Sequence, residues 1–400
     1  MPALKRTATG PRPDWRARAE AAGFIFHTMH GEPYWDEETA YELTLAEVET
    51  LIEDPATELH AMCREAARAI VASEELMGLL AIPEDARDLV AASWRAGEPE
   101  LYGRFDLAHD GEGPAKLLEY NADTPTSLFE ASIFQWEWLE DCRKLGILPP
   151  DADQLNSIQE ALEARFRAIL PPVTDVHFAC AVDNPEDMAT VETLAWAARA
   201  AGHGAHLVDL KAIGLTDRGQ LADGEDRVIG TLFKLYPYED LLRDDWAPRL
   251  AQARLRLLEP PWKACLSNKG LLPVLWRMFE GHPNLLPAVF EHEVEEAAPI
   301  ALRARDALAR GSVTKPLFSR EGASVTIREG GTVTEASPDR GYDGHPRVVQ
   351  AYHPLPVHDG WRPVAGAWIV GEACVGLGLR EDRSRITQDL SRFKPHYIVG

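Results

Sequence analysis

The 400-residue chain lacks any run of about eighteen apolar residues, so its sequence holds no candidate membrane-spanning helix, and no membrane partner is expected. It is poor in cysteine. Cys63, Cys142, Cys180, Cys265 and Cys374 are scattered, odd in number and form no CxxC pair. That argues against a disulfide framework or a structural zinc site and suits a reducing cytoplasm. Basic residues are in deficit: 41 Lys and Arg stand against 64 Asp and Glu, a net charge of −23. A surface this acidic repels phosphate backbones, so nucleic acid is not an expected partner. The same charge would attract a polycationic amine, or simply keep the protein soluble. There is no internal repeat and no low-complexity segment. The N-terminus is basic but lacks the apolar stretch of a secretory signal. It reads as a frayed tail leading into a helix, with an Arg-rich transit peptide as the alternative.

What is present fits a soluble globular protein: 45% hydrophobic and 26% charged residues. The length exceeds one ordinary hydrophobic core, so two or three subdomains are expected. Residues 36–75 read as helical, with Thr44 as N-cap before LAEVETLI and a second helix near 56–72. Further helices are expected over 83–96, 127–145 and 153–169. VHFACAV (176–182) reads as a buried strand, followed by a helix over 185–201, Gly202 and a strand at 205–209. That is a βαβ pattern, which predicts a small Rossmann-like lobe. Another strand runs over 227–234. SNKGLLPVLWRMFE (267–280) reads as a helix capped by Ser267, with Pro273 in its early turns, where a bend could form. From 311 onward, strands at 312–318, 323–328, 347–352, 363–370 and 373–379 alternate with turns. The fold class is therefore mixed α/β (α+β), an α/β front leading into a largely antiparallel back.

The sharpest local feature is LYGRFDLAHD-GEG-PAKLLEYNA (101–122), two alternating runs about a glycine-rich turn. Residues two apart on a strand share a face. A turn centred between Glu112 and Gly113 would set Asp106 opposite Glu119 and Arg104 opposite Asn121, with all four side chains on one face. Two carboxylates and an amide oxygen suit Mg²⁺, which keeps waters and bridges to substrate phosphates. Arg104 could steady a phosphoryl or carboxylate oxygen. The alternative is a solvated sheet face with a cross-strand ion pair. A slip of one residue would break the geometry.

RFDLAHDGEGPAKLLEYNADTPTSLFEA (104–131) resembles the signature of the glutathionylspermidine synthase family. Further similar segments follow in family order: LFKLYPYED (232–240), EPPWKACLSNKGLLPVLW (259–276), KPLFSREGASV (315–325), VVQAYHPLP (348–356) and VGLGLREDRSRIT (375–387). The resemblance runs from about Trp35 to the C-terminus. It sets residues 1–34 apart as an N-terminal extension and 35–400 as a synthetase domain without the amidase domain. Within it, a Rossmann-like lobe lies near 173–234 and a nucleotide-binding lobe near 259–400. The implied fold is ATP-grasp, with ATP held between antiparallel sheets, and the implied cofactors are ATP and Mg²⁺.

By that resemblance Asp106, Glu119 and Asn121 would hold Mg²⁺, and Arg104 and Arg380 would serve phosphoryl transfer. Lys269 and Lys315 would contact the nucleotide, and Gly322 would lie in a loop over its phosphates. Gln350 to Tyr352 would offer backbone groups to adenine. Thr124 and Thr126 match positions near the carboxylate substrate, and Glu186 and Asp187 match acids that receive the amine. A helix cap at Thr126 or Ser127, and first-turn acids at 186 and 187, explain those segments equally well. The implied activity is ATP- and Mg²⁺-dependent joining of a small-molecule or peptide carboxylate to an amine, such as a polyamine, through an acyl phosphate. Three alternatives stay open: an ATP-grasp ligase with other substrates, a non-catalytic nucleotide-binding protein, and a metal-dependent hydrolase.

Overall fold

The computed structural model describes residues 4–111, 113–250, 253, 255–388 and 391–400. Glu112, beside which the sequence centres the hairpin turn, lies outside them. Two antiparallel five-stranded sheets and one parallel four-stranded sheet organise the chain. The central sheet runs in the order Arg392–Lys394, Ala373–Asp382, Arg362–Val370, Tyr102–Ala108, Lys116–Asn121. Its Tyr102–Ala108 strand is buried along its whole length, as a strand covered on both faces must be.

The second antiparallel sheet runs Ala288–Phe290, Arg347–Ala351, Gly311–Pro316, Thr326–Glu329, Thr332–Ala336. It carries Lys315. The helix Asp54–Val71 packs against the central strands Arg362–Val370 and Ala373–Asp382. Its buried Leu59, Cys63, Ala66 and Ile70 recur at three- and four-residue steps, the stripe a core-facing helix needs. The core around this helix also takes in Phe290 and Val348 of the lysine-bearing sheet.

The parallel sheet runs Arg256–Leu258, Thr231–Lys234, Asp175–Cys180, Gly204–Asp209. Helix Pro185–Ala200 crosses between its first two strands in sequence. Asn184 caps that helix, its side-chain oxygen accepting from Glu186 N at 3.0 Å and Asp187 N at 3.3 Å. The expected βαβ unit is therefore present. A second core joins this unit to Phe24, Trp35, Phe134 and Trp138. Fully burying an apolar side chain such as Phe24 or Phe134 contributes about 1.5–3 kcal/mol.

Two local readings are corrected. Thr39–Thr44 is a strand, not part of a helix: it pairs antiparallel with Lys5–Ala8 and parallel with His396–Val399. Partners from both ends of the chain override the helix formers that flank it, and they also turn the supposedly frayed tail into a strand. Helix begins at Leu45, where Thr44 caps it as expected. Thr44 Oγ1 accepts from Glu47 N at 3.2 Å, and the Glu47 carboxylate accepts from Thr44 N at 3.3 Å. Further on, the helix read from Ser267 spans Leu271–Met278. The side chain of Asn268, not Ser267, accepts from Gly270 N at 2.8 Å. Pro273 falls in the first turn, where its missing N–H has no intrahelical partner to lose.

Candidate active site

Every residue singled out from the sequence as a candidate lines one cleft of about 470 Å³ between the two antiparallel sheets. The hairpin supplies its floor. Asp106 stands opposite Glu119 and Arg104 opposite Asn121, the register expected from the sequence. Nearer the turn the register shifts: Leu107 pairs with Leu117, which leaves Leu118 without a counterpart. Such a bulge takes its residue out of the ladder. The freed Leu118 carbonyl accepts from Lys315 Nζ at 3.0 Å, and the Leu117 carbonyl accepts from Gln350 Nε2 at 2.9 Å. The bulge is thus where the lysine-bearing sheet clasps the hairpin.

Asp106 receives two guanidinium groups. Arg104 Nε lies 2.8 Å from Oδ1 and Arg380 Nη2 lies 2.6 Å from Oδ2. One strand, Arg362–Val370, lies between that of Arg380 and that of Asp106; its Gly366 stands opposite Asp106 and in turn opposite Gly378. A Cβ on Gly366 would meet Arg104 Cδ at 3.0 Å. The bare glycine backbone is what lets both arginines lie flat and converge.

Lys269 sits where its backbone N–H is held by Leu317 O at 3.1 Å. Its Nζ donates to Ser319 O at 2.8 Å and lies 3.4 Å from Glu119 Oε2. Asn121 Nδ2 donates to Glu119 Oε1 at 3.3 Å. Burial pushes the Glu119 carboxyl up, but Lys269, Lys315, the Asn121 amide and Arg380 outweigh it and hold it at about 2. Lys315 is driven the other way. Burial brings its ammonium down to about 8, against the pull of Glu119.

Among the described residues, no three His, Cys, Asp or Glu side chains converge as a metal site. The hairpin set is two carboxylates and one amide, too few oxygens to satisfy a hard cation alone. It fits Mg²⁺ of the kind that completes its shell with water and substrate phosphates, and the surrounding cations fit those phosphates.

Gly322 adopts φ +69°, and a Cβ there would meet Thr387 O at 2.5 Å. The loop after Lys315 therefore needs glycine to rest against the 386–387 segment. Gln350 faces the cleft with its side chain, whose Oε1 accepts from Lys315 Nζ at 2.9 Å. The backbone N–H groups beyond it are already taken: Ala351 N donates to Pro287 O at 2.7 Å and Tyr352 N to Gly311 O at 2.9 Å. The adenine contact expected there thus finds no free amide donor at Ala351 or Tyr352.

Thr124, Thr126, Glu186 and Asp187 line the other end of the cleft. Thr126 contributes its carbonyl, which accepts from Arg104 Nη1 at 2.8 Å. Ser127 makes no side-chain cap; its Oγ lies 3.1 Å from the Tyr34 hydroxyl. Burial, and then the negative charge of Glu186, push the Asp187 carboxyl up to about 6.

Several residues of the site were not singled out from the sequence. Asp123 and Lys234 form a buried pair at 2.6 Å, with Tyr238 N donating to Asp123 Oδ2 at 2.8 Å. They join the loop after strand Lys116–Asn121 to the parallel sheet. Arg385 lies over the Tyr352 ring at 5.6 Å and pairs with Glu335 at 2.7 Å. Tyr34 donates to the buried Glu130 carboxylate at 2.7 Å. One signal for Glu130 is in the sequence: an acid four and eight residues before Phe134 and Trp138, on the stripe that goes inward.

Comparisons with known proteins place the chain in a family. Residues 6–399 match the family described as glutathionylspermidine synthase preATP-grasp. The chain is 38% identical to a Haemophilus influenzae protein named as an acid–amine ligase, over 99% of this chain and 100% of that one. It is 28% identical to the trypanothione synthetase of Crithidia fasciculata and 25% identical to the bifunctional glutathionylspermidine synthetase/amidase of Escherichia coli. It spans 52% and 59% of the lengths of those two proteins. A glutathione-synthetase-like effector of Globodera pallida superposes with a TM-score of 0.54 at 10% identity, over 98% of this chain and 99% of that one. The fold is thus that of ATP-grasp proteins, and the chain belongs to the glutathionylspermidine synthase family.

Proposed function

We propose that this protein is an ATP- and Mg²⁺-dependent carboxylate–amine ligase that forms an amide through an acyl phosphate. One observation carries the reading: Asp106, Glu119 and Asn121 on one sheet share a single cleft with Lys269 and Lys315, and Arg104 and Arg380 pair with Asp106 beside them. The same cleft carries Thr124, Thr126, Glu186 and Asp187 at its acid-lined end, a suitable place for the carboxylate and the amine.

In this mechanism a substrate carboxylate oxygen attacks the γ-phosphorus of ATP and ADP leaves. An amine nitrogen then attacks the acyl carbon and inorganic phosphate leaves. No protein nucleophile is required. Mg²⁺ held by Asp106, Glu119 and Asn121 would neutralise phosphate charge. Lys269 and Lys315 hold the triphosphate end, and Arg104 and Arg380 turn from Asp106 to the transferred phosphoryl group. The loop around Gly322 closes over the phosphates and keeps water from the acyl phosphate. The unit built on the parallel sheet serves as the Rossmann-like preATP-grasp lobe, and residues 259–400 with the hairpin make up the nucleotide-binding part.

The relatives named for glutathionylspermidine and trypanothione synthesis suggest a peptide acid such as glutathione and a polyamine. The test is phosphate release from ATP and Mg²⁺, screened over glutathione, other small peptides and amino acids crossed with polyamines. Release that requires an acid and an amine together, and stops on chelation of the metal, is the expected result. Release with neither, or none with any pair, would overturn the reading.

A further inference from the structure

Behind the acid-lined end of the cleft lies a carboxyl group with no cation to neutralise it. Glu130 is 1% exposed. Among the described residues no basic side chain forms an ion pair with it. Three charged or titratable groups face it: Glu186 from helix Pro185–Ala200, Tyr34 from the N-terminal segment, and Arg104 from the central sheet. Burial and then Glu186 push its carboxyl up to about 8, against the Tyr34 hydrogen bond and the more distant Arg104. An unpaired buried carboxylate is expensive to keep, and such groups cluster where proton transfer is needed.

Glu130 does not itself reach the cleft, but its hydrogen-bond partner does. Tyr34 lines the cleft, 2.7 Å from Glu130 Oε1 and 3.1 Å from Ser127 Oγ. Ser127 is held at φ +69°, a conformation unfavourable for a residue other than glycine, and this sets its hydroxyl against Tyr34. The carbonyl next to Ser127, that of Thr126, holds Arg104. Tyr34 is therefore a residue of the cleft wall whose hydroxyl is held between Ser127 and Glu130, next to the Thr126 carbonyl that holds Arg104.

An amine that attacks an acyl carbon is left with one proton too many on nitrogen. We propose that Tyr34 accepts this proton while handing its own to Glu130, so that Tyr34 is a catalytic residue and Glu130 the positioning residue behind it. The inference rests on the ligase reading above. As the N–C bond forms, the bond from the acyl carbon to the phosphate oxygen breaks and phosphate leaves with the electron pair. The nitrogen proton passes to Tyr34 Oη, and the Tyr34 proton passes to Glu130 Oε1. The tyrosine is never left ionised.

Hydroxylamine separates this role from a structural one. It is neutral at pH 7, and once bonded to carbon it sheds its proton to water without a base. Wild type, Glu130→Gln and Tyr34→Phe are assayed with ATP, Mg²⁺ and glutathione, using spermidine or hydroxylamine as nucleophile. Glutamine still accepts the Tyr34 hydrogen bond but cannot take the proton. Glu130→Gln should lose on the order of 10²-fold in kcat with spermidine. Its hydroxamate formation should stay within about twofold of wild type. The rise of the spermidine rate through pH 8 should flatten in the variant. Tyr34→Phe should show the same selectivity, and it carries the test alone if Glu130→Gln does not fold. Equal losses with both nucleophiles, or an unchanged spermidine rate, would overturn the proposal. Absence of hydroxamate in the wild type would instead strike at the ligase reading, and the proposal would fall with it.

Discussion

Asp106 and Glu119 have no apolar packing role that a neutral isostere would fail to fill. Asp106→Asn and Glu119→Gln should each lower acid- and amine-dependent phosphate release by at least about 10²-fold. Far-UV circular dichroism should not change. Turnover unaltered in both would remove them from the metal set. Lys315 gives a pH prediction. Burial lowers its ammonium from 10.5 to about 8 in the folded chain. Between these values the unfolded chain binds more protons, so this group makes stability rise with pH across that window. Affinity for a polyanion runs the other way, falling as pH climbs past about 8 and the positive charge is lost. Calorimetry of ATP binding just above that pH should therefore register proton uptake, seen as a dependence of the heat on buffer. Lys315→Met should abolish the uptake. The hairpin residues were legible because a strand's period of two leaves little choice of face. Asp123 and Lys234 were not, because a charge that ends buried is written in the same letter as one that ends in water; Glu130 was marked only by its place on the inward stripe of its helix.

At the scale of elements, Gly322 gives the clearest prediction. Its positive φ and its approach to Thr387 O leave no room for a side chain. Gly322→Ala should shift the loop off the 386–387 segment and raise the KM for ATP. The left-handed conformation alone should cost about 1 kcal/mol of stability, readable as a lower melting temperature. A melting temperature and KM equal to wild type would deny the loop its role. Elements set by local chemistry were readable in advance: the Thr44 cap, the βαβ crossover, and the Arg104–Asn121 register. Elements set by distant partners were not. Thr39–Thr44 is a strand because Lys5–Ala8 and His396–Val399 flank it, and nothing within a helix-length window announces either. The bulge at Leu118 was hidden for a related reason. What uses the freed carbonyl is Lys315, almost two hundred residues later.

Across the whole molecule, the buried Lys234–Asp123 pair ties the parallel sheet to the loop that follows the hairpin. The Lys234 ammonium also lies 3.7 Å from the centre of the Tyr238 ring. Lys234→Met leaves Asp123 charged and buried without its cation, which should cost roughly 3–5 kcal/mol in urea unfolding. Adding Asp123→Asn should recover part of that loss, since the stranded charge then disappears. If Lys234→Met instead costs nothing, the two units are held together by apolar packing alone.

The twin guanidinium clasp on Asp106 has a consequence for the order of assembly. On the ligase reading, a carboxylate that would take a divalent ion is sequestered by the very cations that would take a triphosphate, so each visitor must first be released from the other's host. Neither alone can settle cheaply; arriving as a pair, they swap partners all round and strand no charge. Magnesium should then tighten nucleotide binding by the same factor that nucleotide tightens magnesium binding, and replacing either arginine by an uncharged residue should shrink both factors together.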